Sequence, residues 1–319
     1  MRALRYDRYG SPDVLHVAEI AEPAPAAGEA KVRVRAASLN PLDWKIRAGH
    51  LRLIPLFRGP PRGVGSDFAG EIVGVGGGAS PRHVGERVFG SIVPFPRDGA
   101  LAEFVVVPVD RFVPIPESLD FEPAAALPVA GGTALQALVD QARIAAGQRV
   151  LITGAAGGVG HFAVQIAKHL GAHVVGVCGA ANVEFVRSLG ADEVIDYARE
   201  DFTRRDDRFD VVFDAAGASS FAAARQVLAD AGCYVNTGGD AAAVASTVAA
   251  AVFARLTSRQ RAVPFALNNS PQTWERLATL AHERVLRAHV ERTIALEDVA
   301  DAMRAMETGH GRGKIVVRL

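Results

Sequence analysis

An apolar run, Arg149-Val-Leu-Ile-Thr153, feeds directly into Gly154-Ala-Ala-Gly-Gly-Val-Gly160. Phe162–Leu170 follows with its apolar residues at helical spacing. A strand, a glycine turn and a helix in that order can hold a pyrophosphate. Small residues let the backbone come close, and the N–H groups and dipole at the helix start favour negative charge. That is the chemistry of a dinucleotide site. In G-x-G-x-x-G register the positions are Ala155, Gly157 and Gly160, so an alanine leads the pattern. The context strengthens it, because His173-Val-Val-Gly-Val177 reads as the second strand of a βαβ unit. Ala155, Gly157, Gly158, Val159 and Gly160 are the expected phosphate cradle, held mainly through backbone N–H groups.

The elements around this turn fall into three stretches. Residues 1 to 122 read as β-rich, with strands at Lys31–Arg35, Gly70–Gly78, Gly85–Gly90 and Ala102–Pro108 punctuated by Gly and Pro. Such spacing suggests a compact barrel or sandwich. Residues 123 to 262 alternate strand and helix, with further short strands at Glu193–Asp196, Asp210–Asp214 and Cys233–Thr237. That pattern implies a parallel sheet covered on both faces. Within it, 241–256 is alanine-rich and reads as a buried helix. The last stretch predicts helices over Pro271–Glu283 and Leu296–Met306, and strands at Val290–Ile294 and Lys314–Arg318. Gly217, Thr237 and Gly238 follow parallel strands at their carboxyl ends, where ligands bind in such sheets.

Composition excludes several classes of function. The chain has 319 residues, 49% of them hydrophobic, and a formal net charge of zero. Its pI near 7.1 does not suggest a nucleic-acid partner. Apolar stretches are broken well short of a membrane span, and the N-terminus lacks an apolar leader, so a cytoplasmic setting is expected. Two cysteines, Cys178 and Cys233, cannot form a disulfide framework. No Cys-x-x-Cys or His-Glu-x-x-His occurs, so no metal site is expected.

The order of motifs resembles the medium-chain dehydrogenase/reductase superfamily, in its zinc-free quinone oxidoreductase and enone reductase branch. The matching pieces are Asn40-Pro-Leu-Asp43, Gly65-Ser-Asp-Phe-Ala-Gly70, Gly85-Glu-Arg-Val88, Ala102-Glu-Phe104 and Leu127-Pro-Val-Ala-Gly-Gly-Thr-Ala134. They continue with Ala155–Gly160, Leu189-Gly-Ala-Asp-Glu-Val-Ile-Asp-Tyr197 and Gly311-Arg-Gly-Lys-Ile-Val-Val317. The resemblance implies an α/β fold: a GroES-like β-rich partial barrel, 1–122 and 263–319, with an inserted Rossmann doubly wound parallel sheet, 123–262. It places the substrate cleft between the two and implies a homodimer. Zinc-dependent relatives carry metal ligands where this chain has Ser66 and Asp67. Without that Lewis acid the expected reaction is hydride transfer to a small molecule that is already electrophilic, a quinone or an α,β-unsaturated carbonyl. Two alternatives stay open: a pathway-specific enoyl reductase on a natural-product intermediate, and a catalytically silent redox sensor that binds the cofactor.

The resemblance also assigns roles. Thr133 approaches the cofactor, or else caps a helix. Phe265 and Ala266 meet the nicotinamide amide through their backbone. Tyr197 matches a tyrosine that helps hold a 2′-phosphate. An acid about 20 residues beyond the glycine turn would mark NAD. Cys178-Gly-Ala-Ala-Asn182 stands there without a carboxylate, so NADPH is expected over NADH, with Cys178, Gly179 and Asn182 lining the cofactor. Arg187 or Arg199 could add charge. Asn40, Asp43 and Lys45 form the expected catalytic group, with Asn40 contacting cofactor or acceptor. Lys45 would donate to the developing enolate oxygen. It reads equally as an exposed strand-end lysine paired with Asp43. Gly49–Phe57 is a candidate substrate wall or a surface loop.

Overall fold

The computed structural model describes residues 1–52, 59–77, 82–92, 99–238, 241–309 and 311–319, without the side chains of 241–244 and 257. Leu53–Phe57 of the candidate substrate wall, and Gly78, lie outside the described residues. The chain divides into two compact units, 1–132 with 268–319, and 133–267.

The first unit opens with β1 (Arg2–Tyr6), β2 (His16–Glu19), β3 (Glu29–Ser38), α1 (Pro41–Arg47), β4 (Arg62–Gly63) and β5 (Asp67–Val75). It continues with β6 (Arg87–Ser91), β7 (Phe104–Pro108), β8 (Phe112–Pro114) and α2 (Phe121–Ala126), and α3 (Pro128–Leu135) leads out of it. The second unit holds β9 (Arg149–Thr153), α4 (Gly160–His169), β10 (His173–Cys178), α5 (Val183–Ser188) and β11 (Glu193–Asp196). After these come β12 (Phe209–Asp214), α6 (Phe221–Ala224), β13 (Leu228–Asn236), α7 (Ala241–Thr257) and β14 (Arg261–Pro264). The chain then returns to the first unit through α8 (Pro271–His282), β15 (Val290–Ile294), α9 (Val299–Met306) and β16 (Lys314–Arg318).

Alternation builds β3. Ala30, Val32 and Val34 point into the core, while Lys31 and Arg33 flank the Phe104 ring. β3 pairs antiparallel with β5, β7 and β16, and Ser38 lies opposite both Asp67 and Val316. The full sheet runs β15-β16-β3-β5-β6-β8, with β7 on β3, and a second sheet runs β2-β1-β4. Leu4, Val32, Phe68, Ile72, Phe112 and Met303 share the core between them. Gly70 is required where β5 crosses β3, because a Cβ there would stand 2.1 Å from the Arg33 carbonyl oxygen.

The second unit is a six-stranded sheet in the order β11-β10-β9-β12-β13-β14, with every pair parallel. This is the doubly wound order, and it reverses between β9 and β12. β9, β10 and β12 are buried almost along their whole length, so both faces of the sheet are covered. Unit boundaries fall later than 122/123 and 262/263. Helix α2 packs on β3, β5 and β16, and β14 is still a strand of the parallel sheet.

Helix α7 departs from the sequence reading. It was expected to be buried, yet Val248, Val252, Phe253 and Leu256 are 46–80% exposed, while Ala254 is buried. Alanine gives no contrast between faces, so spacing alone could not orient this helix.

Phe213 is fully buried between β9 and β13. Phe213→Ala is expected to cost about 3–5 kcal/mol, read from urea unfolding of the second unit.

Candidate functional site

In the second unit the glycine turn is shaped by close contact. Gly154 has φ +60°. A Cβ on Gly160 would stand 2.0 Å from the Gly154 carbonyl oxygen, so α4 can start this close to the turn only with glycine there. Gly157 N–H donates to the same oxygen at 2.9 Å, and Ala155 N–H donates to Val177 O at 3.0 Å. The leading alanine is accommodated from the neighbouring strand. Its buried methyl faces Gly176 of β10, where a Cβ would come within 3.2 Å of it. Gly158 and Val159 complete the turn at the head of α4.

The ends of β10 and β11 bring the next group together. Cys178 closes β10, 4% exposed, and burial first, then Asp196, pushes its thiol up to about 11. Both effects favour the neutral thiol over the reactive thiolate. Tyr197 N–H donates to Cys178 O at 3.2 Å, and the Tyr197 hydroxyl lies against Gly179, where a Cβ would be 3.1 Å away. Asn182 stands at the start of α5. Arg187 pairs with Glu184 at 2.5 Å, and Arg199 with Asp196 at 3.5 Å. Asp196 is the carboxylate that reading β10 alone missed, since register places it opposite Cys178. It also accepts from Ala198 N–H at 3.1 Å.

At the switch point, Gly217 (φ +68°) and Gly238 touch, since a Cβ on Gly238 would lie 2.2 Å from Gly217 N. Thr237 N–H donates to Asp214 O at 3.1 Å. Its Oγ1 is buried and has no hydrogen-bond partner among the described residues. Asp214, which the sequence did not single out, organises this end. Its carboxylate accepts from Thr153 Oγ1 at 2.5 Å, Ala218 N at 3.0 Å, Ser219 N at 2.9 Å and the Tyr234 hydroxyl at 3.0 Å. Phe265 and Ala266 follow β14, half-buried and exposed. Thr133 lies inside α3, 7% exposed, and so is not a helix cap.

The first unit carries a different centre. Asn40 ends the extended segment after β3 and begins α1; its backbone N–H donates to Asp43 Oδ2 at 2.7 Å. Asp43 Oδ1 accepts from Ser66 Oγ at 2.6 Å. Burial pushes the Asp43 carboxyl up to about 7, against the hydrogen bonds from Ser66 and Asn40. It borders a cavity of about 10 Å³ that also meets Tyr6 and Arg62. Asp67 is fully buried. Its Oδ2 accepts from Asn40 Nδ2 at 2.8 Å and Ser38 Oγ at 3.0 Å, and its Oδ1 from Val129 N–H at 3.1 Å. Lys314 Nζ donates to Asn40 Oδ1 at 2.6 Å and Leu39 O at 2.8 Å, and faces Asp67 Oδ2 at 3.8 Å. Two N–H groups of the ammonium are thus hydrogen-bonded, and the Asp67 carboxylate faces it as an ion pair. Burial pushes Asp67 up and Lys314 down, and their attraction opposes both.

Asn40 and Asp43 are thus joined, but to Ser66, Asp67 and Lys314. Lys45 is half-buried in helix α1, not at a strand end, with Nζ 5.7 Å from the Trp44 ring centroid. Sequence reading treated Lys314 only as the first residue of a strand; the Gly-Lys-Ile-Val pattern was the available signal. A zinc ion does not fit at Ser66 and Asp67. The Asp67 oxygens are already committed to four partners, and a lysine ammonium supplies the positive charge there.

Gly160→Ala is expected to weaken dinucleotide binding at least about tenfold, the equivalent of 1.4 kcal/mol, in a fluorescence titration. Asp43 is titrated higher folded than unfolded, so its stabilising contribution is full below about pH 4 and is lost as pH rises through about 7. Asp43→Asn should therefore flatten the fall of Tm between those values, read by thermal melts across pH.

Comparison with known proteins follows the same lines. Residues 26–117 match the alcohol dehydrogenase GroES-like domain family, and residues 189–317 match the zinc-binding dehydrogenase family. The chain is 35% identical to a chloroplastic quinone-oxidoreductase homolog of Spinacia oleracea, over 99% of this chain and 98% of that one. It is 31% identical to a chloroplastic NADPH-dependent alkenal/one oxidoreductase of Arabidopsis thaliana, over 99% of this chain and 79% of the other. The structure of the quinone oxidoreductase from Coxiella burnetii superposes with a TM-score of 0.88 at 32% identity, covering 100% and 99% of the two chains. Among the described residues no helix is long and apolar enough to cross a membrane. With its GroES-like sheet, its doubly wound parallel sheet and relatives matched along nearly its whole length, the chain belongs to the quinone and enone oxidoreductase branch of the medium-chain dehydrogenase/reductase superfamily.

Proposed function

We propose that the protein is a zinc-independent NADPH oxidoreductase that reduces a quinone or the double bond of an α,β-unsaturated carbonyl compound. The observation that carries this reading is the spent Asp67 carboxylate, whose oxygens serve Ser38, Asn40, Val129 and Lys314 instead of a metal. Without a Lewis acid at that position, the acceptor must itself spread the arriving charge, as quinones and enones do. The names of the spinach and Arabidopsis relatives support both acceptor classes and, for the second, NADPH.

When bound, NADPH supplies a hydride; the chain binds and orients. The N–H groups of Gly158 and Val159 in the turn, and of Gly160 at the start of α4, precede the intrahelical hydrogen bonds of that helix. They and the small residues Ala155 and Gly157 hold the pyrophosphate. The unpartnered Thr237 hydroxyl, with Gly217 and Gly238, is the polar group left for the cofactor at the switch point. Tyr197, Gly179, Cys178 and Asn182 hold the adenosine end. Asp196 is already engaged by Arg199, so the acid nearest β10 is not offered to a ribose, which favours NADPH. Thr133, Phe265 and Ala266 serve the nicotinamide end.

Lys45 is the residue that donates a hydrogen bond or a proton to the acceptor oxygen. Both ends of the Asn40 amide are taken, by Asp67 and Lys314, and Asp43 is bonded to Ser66 and Asn40 N–H. These two act by fixing the start of α1. The reading includes a cytosolic setting and a homodimer, which would cover β14, an edge strand of the parallel sheet among the described residues.

The test is NADPH oxidation by the purified protein with a chelator present, against quinones and enones, with NADH in parallel. Turnover with NADPH that ignores the chelator is the expected outcome; cofactor binding without turnover on either set overturns it. Lys45→Met is expected to lower kcat on enones about 100-fold, with the KM for NADPH unchanged. Unchanged turnover removes Lys45 from the mechanism.

A further inference from the structure

Helix α1, which carries Lys45, is only seven residues long. Isolated helices shorter than about 12–15 residues are marginal in water, so its orientation comes from what holds it. Asp43, Ile46 and Arg47 form its buried face, at i, i+3 and i+4 spacing, while Trp44 and Lys45 are half-buried. The bond from Asn40 N–H to Asp43 fixes the start of the helix. Arg47 fixes its end. The Arg47 side chain is 1% exposed. Its Nη1 donates to Gly10 O at 2.8 Å, and Gly10 N–H donates back to Arg47 O at 3.3 Å. Its Nη2 pairs with the carboxylate of Glu307, the residue that closes α9. Both anchors are themselves held. A Cβ on Gly10 would stand 2.8 Å from Val14 Cγ1, so the turn is tight there. Val299 and Met303 of α9 belong to the core. Tyr9 packs on the same end of α1, since a Cβ on Gly49 would lie 3.1 Å from its ring.

We propose that Arg47 is a positioning residue for Lys45: by bridging Gly10 and Glu307, its guanidinium sets the roll of α1 about its axis, and so where the Lys45 ammonium stands. With 3.6 residues to a turn, residues two apart lie on nearly opposite sides of a helix. A hold on Arg47 is therefore passed to Lys45 through the helix, without contact between the two side chains. The planar guanidinium fork serves two partners at a fixed angle, where a lysine ammonium is a point charge on a flexible stem. Two partners from separate segments resist rotation of the helix in a way that one cannot. The inference rests on Lys45 being the donor to the acceptor oxygen. Misplacing a reacting group by about 1 Å can cost about 100-fold in rate. Arg47 therefore acts on turnover, and the cofactor cradle of the second unit does not depend on it.

The experiment is a kinetic double-mutant cycle on enones. Arg47→Met, Arg47→Lys and Glu307→Ala are each measured alone and combined with Lys45→Met, with thermal melts in parallel. Arg47→Met is expected to lower kcat about tenfold, with the KM for NADPH unchanged. Arg47→Lys, which keeps the charge and loses the fork, should fall between Arg47→Met and wild type. In the Lys45→Met background none of the three should lower kcat further, because the group they position is already gone. Should Arg47→Met fail to fold, Glu307→Ala decides, since that side chain is 32% exposed; its expected loss is about threefold and should likewise vanish without Lys45. The proposal is overturned if folded Arg47→Met, or Glu307→Ala in its place, turns over like wild type. It is overturned equally if the loss persists in full in the Lys45→Met background, which is the mark of a merely structural role, or if the KM for NADPH rises in step. Failure of the donor assignment is read separately: Lys45→Met alone would then turn over normally, and the proposal falls with it.

Discussion

The first unit depends on one buried ion pair. Lys314 and Asp67 lie on β16 and β5, the strands on either side of β3, and Asn40 just beyond β3 bonds to both. Taking two charges out of water costs several kcal/mol each, and the cost is offset only when the remaining donors and acceptors are satisfied. Here they are: Ser38, Asn40 and Val129 complete the carboxylate, and Leu39 and Asn40 complete the ammonium. The arrangement therefore specifies register. A slip of β3 by one residue would turn Ser38 away from Asp67 and leave part of the carboxylate unserved.

The second unit uses a carboxylate without a cation among its hydrogen-bond partners. Asp214 gathers two backbone N–H groups and two hydroxyls at the carboxyl end of β12. It holds the loop carrying Gly217 through the N–H groups of Ala218 and Ser219. Burial and Asp214 together push the Tyr234 hydroxyl well above its ordinary value, so it stays a donor to the carboxylate. Glycine works alongside this group: contact at Gly160 and Gly238 brings backbone, rather than side chain, to the surface where a ligand would lie.

The parts of this design that were legible in the sequence are local ones. Strands such as Glu193–Asp196 and Val290–Ile294 announce themselves by alternation or by short apolar runs. The glycine turn is legible because strand, turn and helix are contiguous. The parts that were not legible depend on register between distant segments. Lys314 looks like an ordinary strand residue until β16 is laid beside β3, and Asp196 becomes a neighbour of Cys178 only through parallel pairing. Lys45 was readable as a strand-end residue because Asn40 and Pro41 cap a helix too short for a clear period. The exposed face of α7 was hidden by its alanines.

The order of Asp67 and Lys314 along the chain, on either side of the second unit, has a consequence for synthesis. Residues 1–132 leave the ribosome before residues 268–319, and with them Asp67, its hydroxyl and amide partners, and most of the sheet. Their counter-charge is encoded after the whole of the second unit, which closes on itself within one continuous segment. The parallel sheet can therefore mature while the older half of the chain waits. The first unit is finished only once β16 is made, so a chain stalled or clipped before β16 keeps an uncompensated carboxylate in an incomplete sheet. Such a chain lacks both that counter-charge and the core side chains of Ile315, Val316 and Val317.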